Sequence, residues 1–411
     1  MINHFSSTSA FQLKIFRVIF GIYLVWHFTA LLPYATELFS NEGVLSAEGL
    51  NPFKDKKAWP NPLFIWASPL IVQIMIALGI AASITLTLGK KIIYCSLYLW
   101  FLHSCLFTAN PFTANPSLGY VGLILLLIAI IPRNSNHVPR YVIIVAWVLM
   151  SVGYTFSGLH KLSSPSWIDG TALQHLMTNP LARVGIIRDV MLKLPDVIFK
   201  LMAWGTLALE VLFVPLALSR FTRPWAWLAM LLMHLGIMLT VDFADLSIGM
   251  VMIHLFTFNY NWVAPRKSGA KNTGVLFLDG ACLFCQKSVK CLYEIDRLKK
   301  LHFSTLQGEA AEALPSRWRT TEDGSGAASG EMVLIENYQQ DNEKRWRGAS
   351  AVLRTFYIIG GVCSLLWWLN TTPSFIKDSG YRISAKNRHR FNGGKKACEL
   401  PTKDFSGRFI P

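Results

Sequence analysis

Apolar positions along the first two thirds of this chain run together instead of alternating. Between residues 11 and 262 long apolar stretches follow one another, broken by short polar turns, whereas Lys, Arg, Asp, Glu and Gly crowd the chain from about 264 onward. A bilayer core of about 30 Å needs roughly 20 apolar residues in a helix. Stretches near that length predict eight spans, at about 11–32, 64–88, 91–108, 118–132, 139–159, 199–218, 224–241 and 246–263. The third and fourth are short, so tilt or burial has to make up their length.

The pattern changes at 264–273 (APRKSGAKNT), a stretch with linker composition that separates a transmembrane domain, 1–263, from a soluble domain, 274–411. Val275 to Leu278 predicts a short apolar strand, Cys282 to about Lys299 a helix, and His302 to Leu306 a second strand. After a Gly/Ser-rich loop at 320–330 comes a third strand, Met332 to Ile335, and the turn at Gln339 to Asn342 leads by a hairpin into Lys344 to Arg347. Helices follow from about Gly348. The order β-α-β and then β-β-α is that of a thioredoxin-like sheet. The expected fold class is therefore a multi-pass α-helical membrane bundle of about eight spans followed by a small α/β thioredoxin-like domain.

Composition fits two solvents. Of 411 residues 52% are hydrophobic and 15% charged, against about 25% charged in a typical soluble domain. The net charge of +15 raises the question of nucleic acid, but no basic helix with interleaved aromatics stands outside the spans. Membrane lipid, and no nucleic acid, is the expected partner. Loop charge then orients the bundle, because cytoplasmic loops carry the excess of Lys and Arg. With the N-terminus inside, the short inner turns hold Lys90 and Lys91, Arg133 and Arg140, and Arg220 and Arg223, whereas the short outer turns at about 109–117 and 242–245 hold neither residue type. The long outer loops at 33–63 and 160–198 do carry Lys and Arg, but with accompanying acids, and long loops weigh little. The last span delivers Pro265-Arg266-Lys267 to the inside. Met1 to Ala10 is polar and lacks a signal-peptide cleavage pattern, so the expected location is the cell or inner membrane with both termini cytoplasmic.

Seven cysteines are scattered along the chain, and Cys282 and Cys285 alone form a motif. Leu278-Asp279-Gly280-Ala281-Cys282-Leu283-Phe284-Cys285 runs from strand through turn into helix. A cysteine at a helix N-terminus faces unsatisfied backbone N–H groups and the positive end of the dipole, which favours its thiolate. A second cysteine three residues on lies one turn away, within reach of a mixed disulfide. In this reading Cys282 attacks and Cys285 resolves, while Asp279 beneath the turn accepts or relays the proton of the resolving thiol, its like charge opposing thiolate formation. Two alternatives stand beside it. One is half of a zinc site, for which Cys291, Cys363, His389 and Cys398 offer no second paired spacing, so that no metal is expected. The other is a pair of inert thiols.

The motifs Asp279-x-x-Cys282-x-x-Cys285, Arg347-Gly348-Ala349-Ser350-Ala351 and Tyr381-Arg382-x-x-Ala385-x-Asn387-Arg388 resemble those of the DCC family of thiol-disulfide oxidoreductases, over about 274–398. The resemblance implies a thioredoxin-like fold and dithiol chemistry. The chain departs from thioredoxins in having no Pro just before the strand at Met332, where a cis-Pro shapes the groove for extended peptide.

In the apolar part, Tyr154-Thr155-Phe156-Ser157-Gly158-Leu159-His160-Lys161-Leu162, followed by Trp167-Ile168-Asp169-Gly170, sits where the fifth span leaves the bilayer. On spacing alone Lys161 is a snorkelling anchor and Trp167 an interface residue. With Glu210 inside an apolar span ahead of Pro215 and His234 in the next, the passage resembles the HTTM membrane domain shared with vitamin K-dependent gamma-carboxylases, over about 9–263. That resemblance implies a cavity for a quinone-like or other lipid-soluble molecule, with Lys161 as a desolvated base and His160, Glu210 and His234 beside the ligand. A quinone is the one cofactor it suggests; the residues themselves dictate none. The carboxylase's large lumenal substrate-binding region has no counterpart here, which speaks against protein carboxylation. Ionisable groups in or at the edge of spans, His27, His103, Glu210, His234, Asp242 and His254, are costly in lipid and should face the bundle interior in pairs. Glu210 with His234, on adjacent spans, is the first pair to test, and for any single group a satisfied structural hydrogen bond is at least as good a reading. Cys95 and Cys105 read as small packing residues.

Together these features predict a membrane-bound thiol-disulfide oxidoreductase whose cytoplasmic dithiol exchanges electrons with a thiol protein or a membrane quinone, Lys161 facing outside. A reducing cytoplasm holds the pair as dithiol, which suits a reductase or sensor. Two rivals differ in class. One is a membrane receptor whose C-terminal domain docks a cytoplasmic protein without turnover; the other is a carboxylase-like, quinol-dependent enzyme centred on Lys161.

Overall fold

The structure, a computed structural model, describes residues 9–46, 50–53, 60–132, 137–243, 245–263, 273–279, 283–314, 331–387 and 407–410. The chain divides into two compact units, Met1–Asn259 and Tyr260–Pro411. Cys282, the expected linker apart from Thr273, the Gly/Ser-rich loop at 320–330, Arg133 and the stretch with Arg388, His389 and Cys398 lie outside the described residues.

The first unit is helical. Its main helices are α1 (Ala10–Leu31), α2 (Pro69–Thr87), α3 (Ile92–Ala109), α4 (Pro116–Ile130), α5 (Arg140–Lys161), α6 (Asp196–Val211), α7 (Phe213–Leu218), α8 (Arg223–Thr240) and α9 (Leu246–Thr257). Prolines open α2 and α4, where their missing N–H costs nothing. Among the described residues four helices, Ala10–Phe39, Pro69–Thr87, Ile92–Ala109 and Arg140–Lys161, are long and apolar enough to cross a membrane, and α4 and α9 are apolar but shorter. The outward face of α1 is itself apolar, with Ile15, Val18, Ile22 and Trp26 exposed. A helix apolar on all sides belongs in a core or in lipid.

The stretch expected as one helix over 199–218 is broken between α6 and α7 at Leu212. The cause is Pro215, which has no N–H to offer the Val211 carbonyl one turn back. Thr155 of α5 fills the gap. Its hydroxyl donates towards the carbonyls of Glu210 (3.2 Å) and Val211 (3.4 Å) and accepts from the Val214 N–H at 3.1 Å.

The second unit is built on a four-stranded sheet of order β2-β1-β3-β4, from β1 (Gly274–Leu278), β2 (Leu301–Thr305), β3 (Val333–Glu336) and β4 (Lys344–Arg347). β1 runs parallel to β2 and antiparallel to β3, and β3 and β4 form a hairpin. The helices are α10 (Leu283–Ile295), α11 (Gly348–Ile359) and α12 (Ser374–Asn387). The β-α-β and β-β-α order is thus the expected one. β1 is buried at all five positions and β3 at all four, as a strand covered on both faces must be.

α10 stops four residues short of the expected end because Asp296 turns the chain. Its carboxylate accepts from the backbone N–H of Lys300 (3.2 Å) and Leu301 (2.8 Å), which leads directly into β2. The same carboxylate pairs with the buried Arg408. Residues 407–410 run beside β2 through Phe303 N–H to the Arg408 carbonyl and Ile410 N–H to the Phe303 carbonyl, each 2.8 Å.

Candidate functional site

In the second unit the site begins at the end of β1. Parallel pairing with β2 continues one step beyond the strands, the Leu306 N–H donating to the Leu278 carbonyl at 2.9 Å. Asp279 therefore emerges beside the turn after β2, where the Gln307 side-chain amide donates to its Oδ1 at 3.1 Å. α10 follows at once. Cys285 stands in its first turn, buried against Leu276, Leu278, Val289, Leu292 and Phe303.

From the thiol side of α10 opens a cavity of about 760 Å³. Cys285, Ser288, Cys291 and Leu292 line it, a spacing that marks one face of the helix. The opposite wall comes from α11 and α12, through residues such as Val352, Phe356, Ile376 and Tyr381. Among the described lining residues the charged groups are Asp279 and Lys377. Lys377 is held by Asn370 Oδ1 (2.7 Å) and the Ser350 hydroxyl (3.1 Å).

The two later motifs meet at the same cavity. Gly348 takes a left-handed φ of +56°, and its N–H donates to the Met332 carbonyl at 3.0 Å. The Met332 N–H donates to the Tyr381 hydroxyl at 2.9 Å. Arg347 pairs with Glu331 at 2.6 Å. Both polar groups of the Met332 backbone are thus taken by residues of the motifs at 347–351 and 381–387, and Met332, Ala349, Tyr381 and Ala385 line the cavity with Asp279 and Cys285.

Cys291 was legible in the sequence as a possible ligand and not as a wall of this cavity. Helical spacing from Cys285 was the signal that could have found it. Burial, then the neighbouring Glu294 and Cys363, pushes its thiol up to about 11. The Cys363 thiol is also raised by burial. Among the described residues no group of three or more His, Cys, Asp or Glu converges as a metal site.

In the first unit the structure joins Lys161 to Glu210. The ammonium lies 2.6 Å from Oε1 and 2.5 Å from Oε2 of a carboxylate that is 3% exposed. The Ser157 hydroxyl adds a bond to Oε2 at 3.3 Å, and the Trp167 ring covers the ammonium at 4.8 Å. Gly158 makes the approach possible, since a Cβ there would stand 2.6 Å from the Val211 nitrogen and 2.9 Å from Glu210 Cβ. Small residues let helices close in this way.

Two expectations are corrected here. Lys161 does not reach away as an anchor, because a buried carboxylate takes its charge. Glu210 does not pair with His234; the lysine offers it a full positive charge, and His234 Nε2 instead meets the Tyr154 hydroxyl at 2.8 Å. The same hydroxyl lies 2.8 Å from His254 Nε2. His160 is exposed on another face of α5, away from the pair. The polar clusters centred on Asp245 and on Tyr154 were missed, since nothing in an apolar span's spacing says which helix will face it.

Comparison with known proteins bears on the second unit. A family profile described as DCC1-like thiol-disulfide oxidoreductase matches residues 276–394. The uncharacterized protein YuxK of Bacillus subtilis (strain 168) is 27% identical over 137 residues, covering 33% of this chain and 93% of that protein. A chloroplastic DCC family protein of Arabidopsis thaliana is 30% identical over 127 residues, covering 31% of this chain and 69% of that protein. No solved structure matches.

Proposed function

The chain belongs, through its C-terminal unit, to the DCC1-like thiol-disulfide oxidoreductase family, and on that premise we propose that it is a membrane-bound dithiol enzyme of thioredoxin-like fold working through Cys282 and Cys285. The observation that carries this reading is the meeting of three motifs, far apart in sequence, around one apolar cavity against Cys285. A fold that needed those residues for packing alone would have no reason to leave a space between them.

The chemistry balances as two thiol exchanges. The Cys282 thiolate attacks a substrate disulfide, and the substrate's other sulfur leaves and takes a proton. Cys285, its proton passing to Asp279, attacks the Cys282 sulfur and releases the second substrate thiol. Two electrons have gone to the substrate, and the Cys282–Cys285 disulfide is reduced again by a thiol protein or a quinol. Mass-spectrometric trapping with the full chain in membranes tests this. Cys285→Ser should accumulate a mixed disulfide that is lost when Cys282→Ser is added, and a chain that traps nothing is a docking module instead.

For the first unit the proposal is an eight-span HTTM-like bundle in the cell or inner membrane, with cytoplasmic termini and a lipid-soluble redox partner, a quinone, near Lys161, Glu210 and His234. The Lys161–Glu210 pair supports a second, quinol-dependent reading centred on Lys161, because a buried ion pair at a span end is costly to keep without a use. Lipids and quinones retained by the purified bundle, identified by mass spectrometry, would decide whether such a molecule is present. Impermeant labelling of Cys282 would test the orientation.

A further inference from the structure

One charged side chain of the first apolar stretch is left without a partner. Arg17 lies about two turns into α1 and is half-buried, and among the described residues it forms no hydrogen bond and no ion pair. Of its three guanidinium nitrogens Nε alone is sealed off, so the donors open to a ligand are those of Nη1 and Nη2. A charge within a span normally pairs inside the protein. The sequence denies this one a carboxylate nearby, because residues 1–36 and 56–168 contain neither Asp nor Glu, and those two stretches hold all of α1 to α5 and the turns from α2 to α5.

Local packing fixes where the charge lies. Gly21 lets α1 close on α2, since a Cβ there would overlap the Thr87 hydroxyl. Arg17 is one turn earlier on the same face of α1, and so it meets the turn that follows α2. Gly89 forms the floor of that meeting. A Cβ at this residue, whose φ is +76°, would stand 2.5 Å from Arg17 Nη2 and 2.9 Å from its Cζ. Lys90 and Lys91 come next in the chain, both exposed, and lead into α3. Around the same turn α1 and α2 expose apolar side chains, Ile15 and Val18 on one, Ile84 on the other, with Leu88 just beyond it.

We infer that Arg17, with Lys90 and Lys91, holds the phosphate of an anionic phospholipid where α1 meets the turn between α2 and α3. A guanidinium fork matches two phosphate oxygens, and the lysines add charge that favours a headgroup with no cation of its own. The exposed apolar side chains border the acyl chains, as in basic pockets between spans that take lipid headgroups. An arginine that merely snorkelled would accept any headgroup. Set over Gly89 beside two lysines, Arg17 selects the anionic one. The inference rests on the first unit lying in a membrane, which resistance to alkaline carbonate extraction tests separately.

Native mass spectrometry of the full chain in a non-ionic detergent, titrated with phosphatidylglycerol or with phosphatidylcholine of the same acyl chains, tests the inference. The unsubstituted protein should bind one phosphatidylglycerol about tenfold tighter than phosphatidylcholine, the weight of one charge-assisted hydrogen bond. Arg17→Gln should bring the two lipids to within about twofold of each other, and Lys90→Gln with Lys91→Gln should cause a smaller loss. Arg220→Gln, which removes the same charge from another exposed turn, should leave the preference intact. Equal binding of the two lipids by the unsubstituted protein, or no binding of either, overturns the inference without any variant. So does an equal loss in Arg220→Gln, which would make net charge the cause, and so does displacement by an equimolar amount of inorganic phosphate, which would make the ligand a free anion.

Discussion

The two candidate sites bury their reactive groups under opposite conditions. Lys161 and Glu210 meet as full charges between helices, where each makes the other tolerable and the Gly158 contact sets their distance. Cys285 faces an apolar cavity as a thiol, which needs no counter-charge to be buried. The first arrangement couples function to stability, because removing either partner strands a charge. The second leaves the reactive group free to change state at little cost to the fold.

The sharpest way to break this contrast is Glu210→Ala. With the carboxylate only 3% exposed and the ammonium partly so, loss of the pair should destabilise the helical unit by about 3 kcal/mol, against roughly 1 kcal/mol for Cys285→Ala. Thermal unfolding in one detergent measures both. If the two variants melt alike, the pair carries no structural weight. Glu210→Gln combined with Lys161→Met should recover much of the loss, since the stranded charge is then gone.

Gly158→Val comes next. The added Cβ meets backbone at 2.6 Å, which cannot yield as a flexible side chain does. The expected cost is about 2 kcal/mol from overpacking, and α5 and α6 must part. A double cycle with Lys161→Met should show strong coupling. Additive effects would mean that the helices part without opening the pair.

In the second unit Gly348→Ala tests whether the motif at 347–351 holds the cavity wall through its backbone. At φ +56° a Cβ costs about 1 kcal/mol. Because the Gly348 N–H is bonded to Met332, mixed-disulfide yield in the Cys285→Ser background should fall along with the denaturation midpoint. An unchanged yield would leave the motif a purely structural role.

Much of this architecture could be read in advance, for identifiable reasons. Apolar run length marked the main helices of the first unit but not the short ones at Pro165–Ile168, Ala172–Thr178 and Ile186–Met191, which fall in the stretch read as a long loop, and the hairpin strand Lys344–Arg347 fell where its turn residues said. What failed was pairing. His234 was assigned to Glu210 because both sit in neighbouring apolar spans, yet choice of partner depends on helix rotation and close approach, which Gly158 and Thr155 control and run length does not encode. The break at Leu212 was invisible for a related reason. Pro215 announces a lost hydrogen bond but does not say that a threonine on another helix will replace it. In the second unit three motifs could be listed, but only the sheet order brings Met332 between Gly348 and Tyr381.

The smallest effect is expected at Cys291, and it sharpens the contrast from the thiol side. Cys291 shares the cavity with Cys285, but its thiol is pushed up to about 11 by burial and by Glu294 and Cys363. The shift is upward, so the neutral form is favoured, and at pH 8 only about one molecule in a thousand carries the thiolate that reacts. Iodoacetamide labelling of Cys291, followed by peptide mass spectrometry, should therefore be near background at pH 8 and rise about tenfold per pH unit towards 11. An ordinary thiol would level off near pH 9. Cys291→Ser should leave thiol exchange within about twofold of the unsubstituted protein, since a thiol held neutral neither attacks nor resolves. Labelling that saturated by pH 9, or exchange that collapsed in Cys291→Ser, would move Cys291 from the cavity wall into the exchange itself and make the site a three-thiol centre.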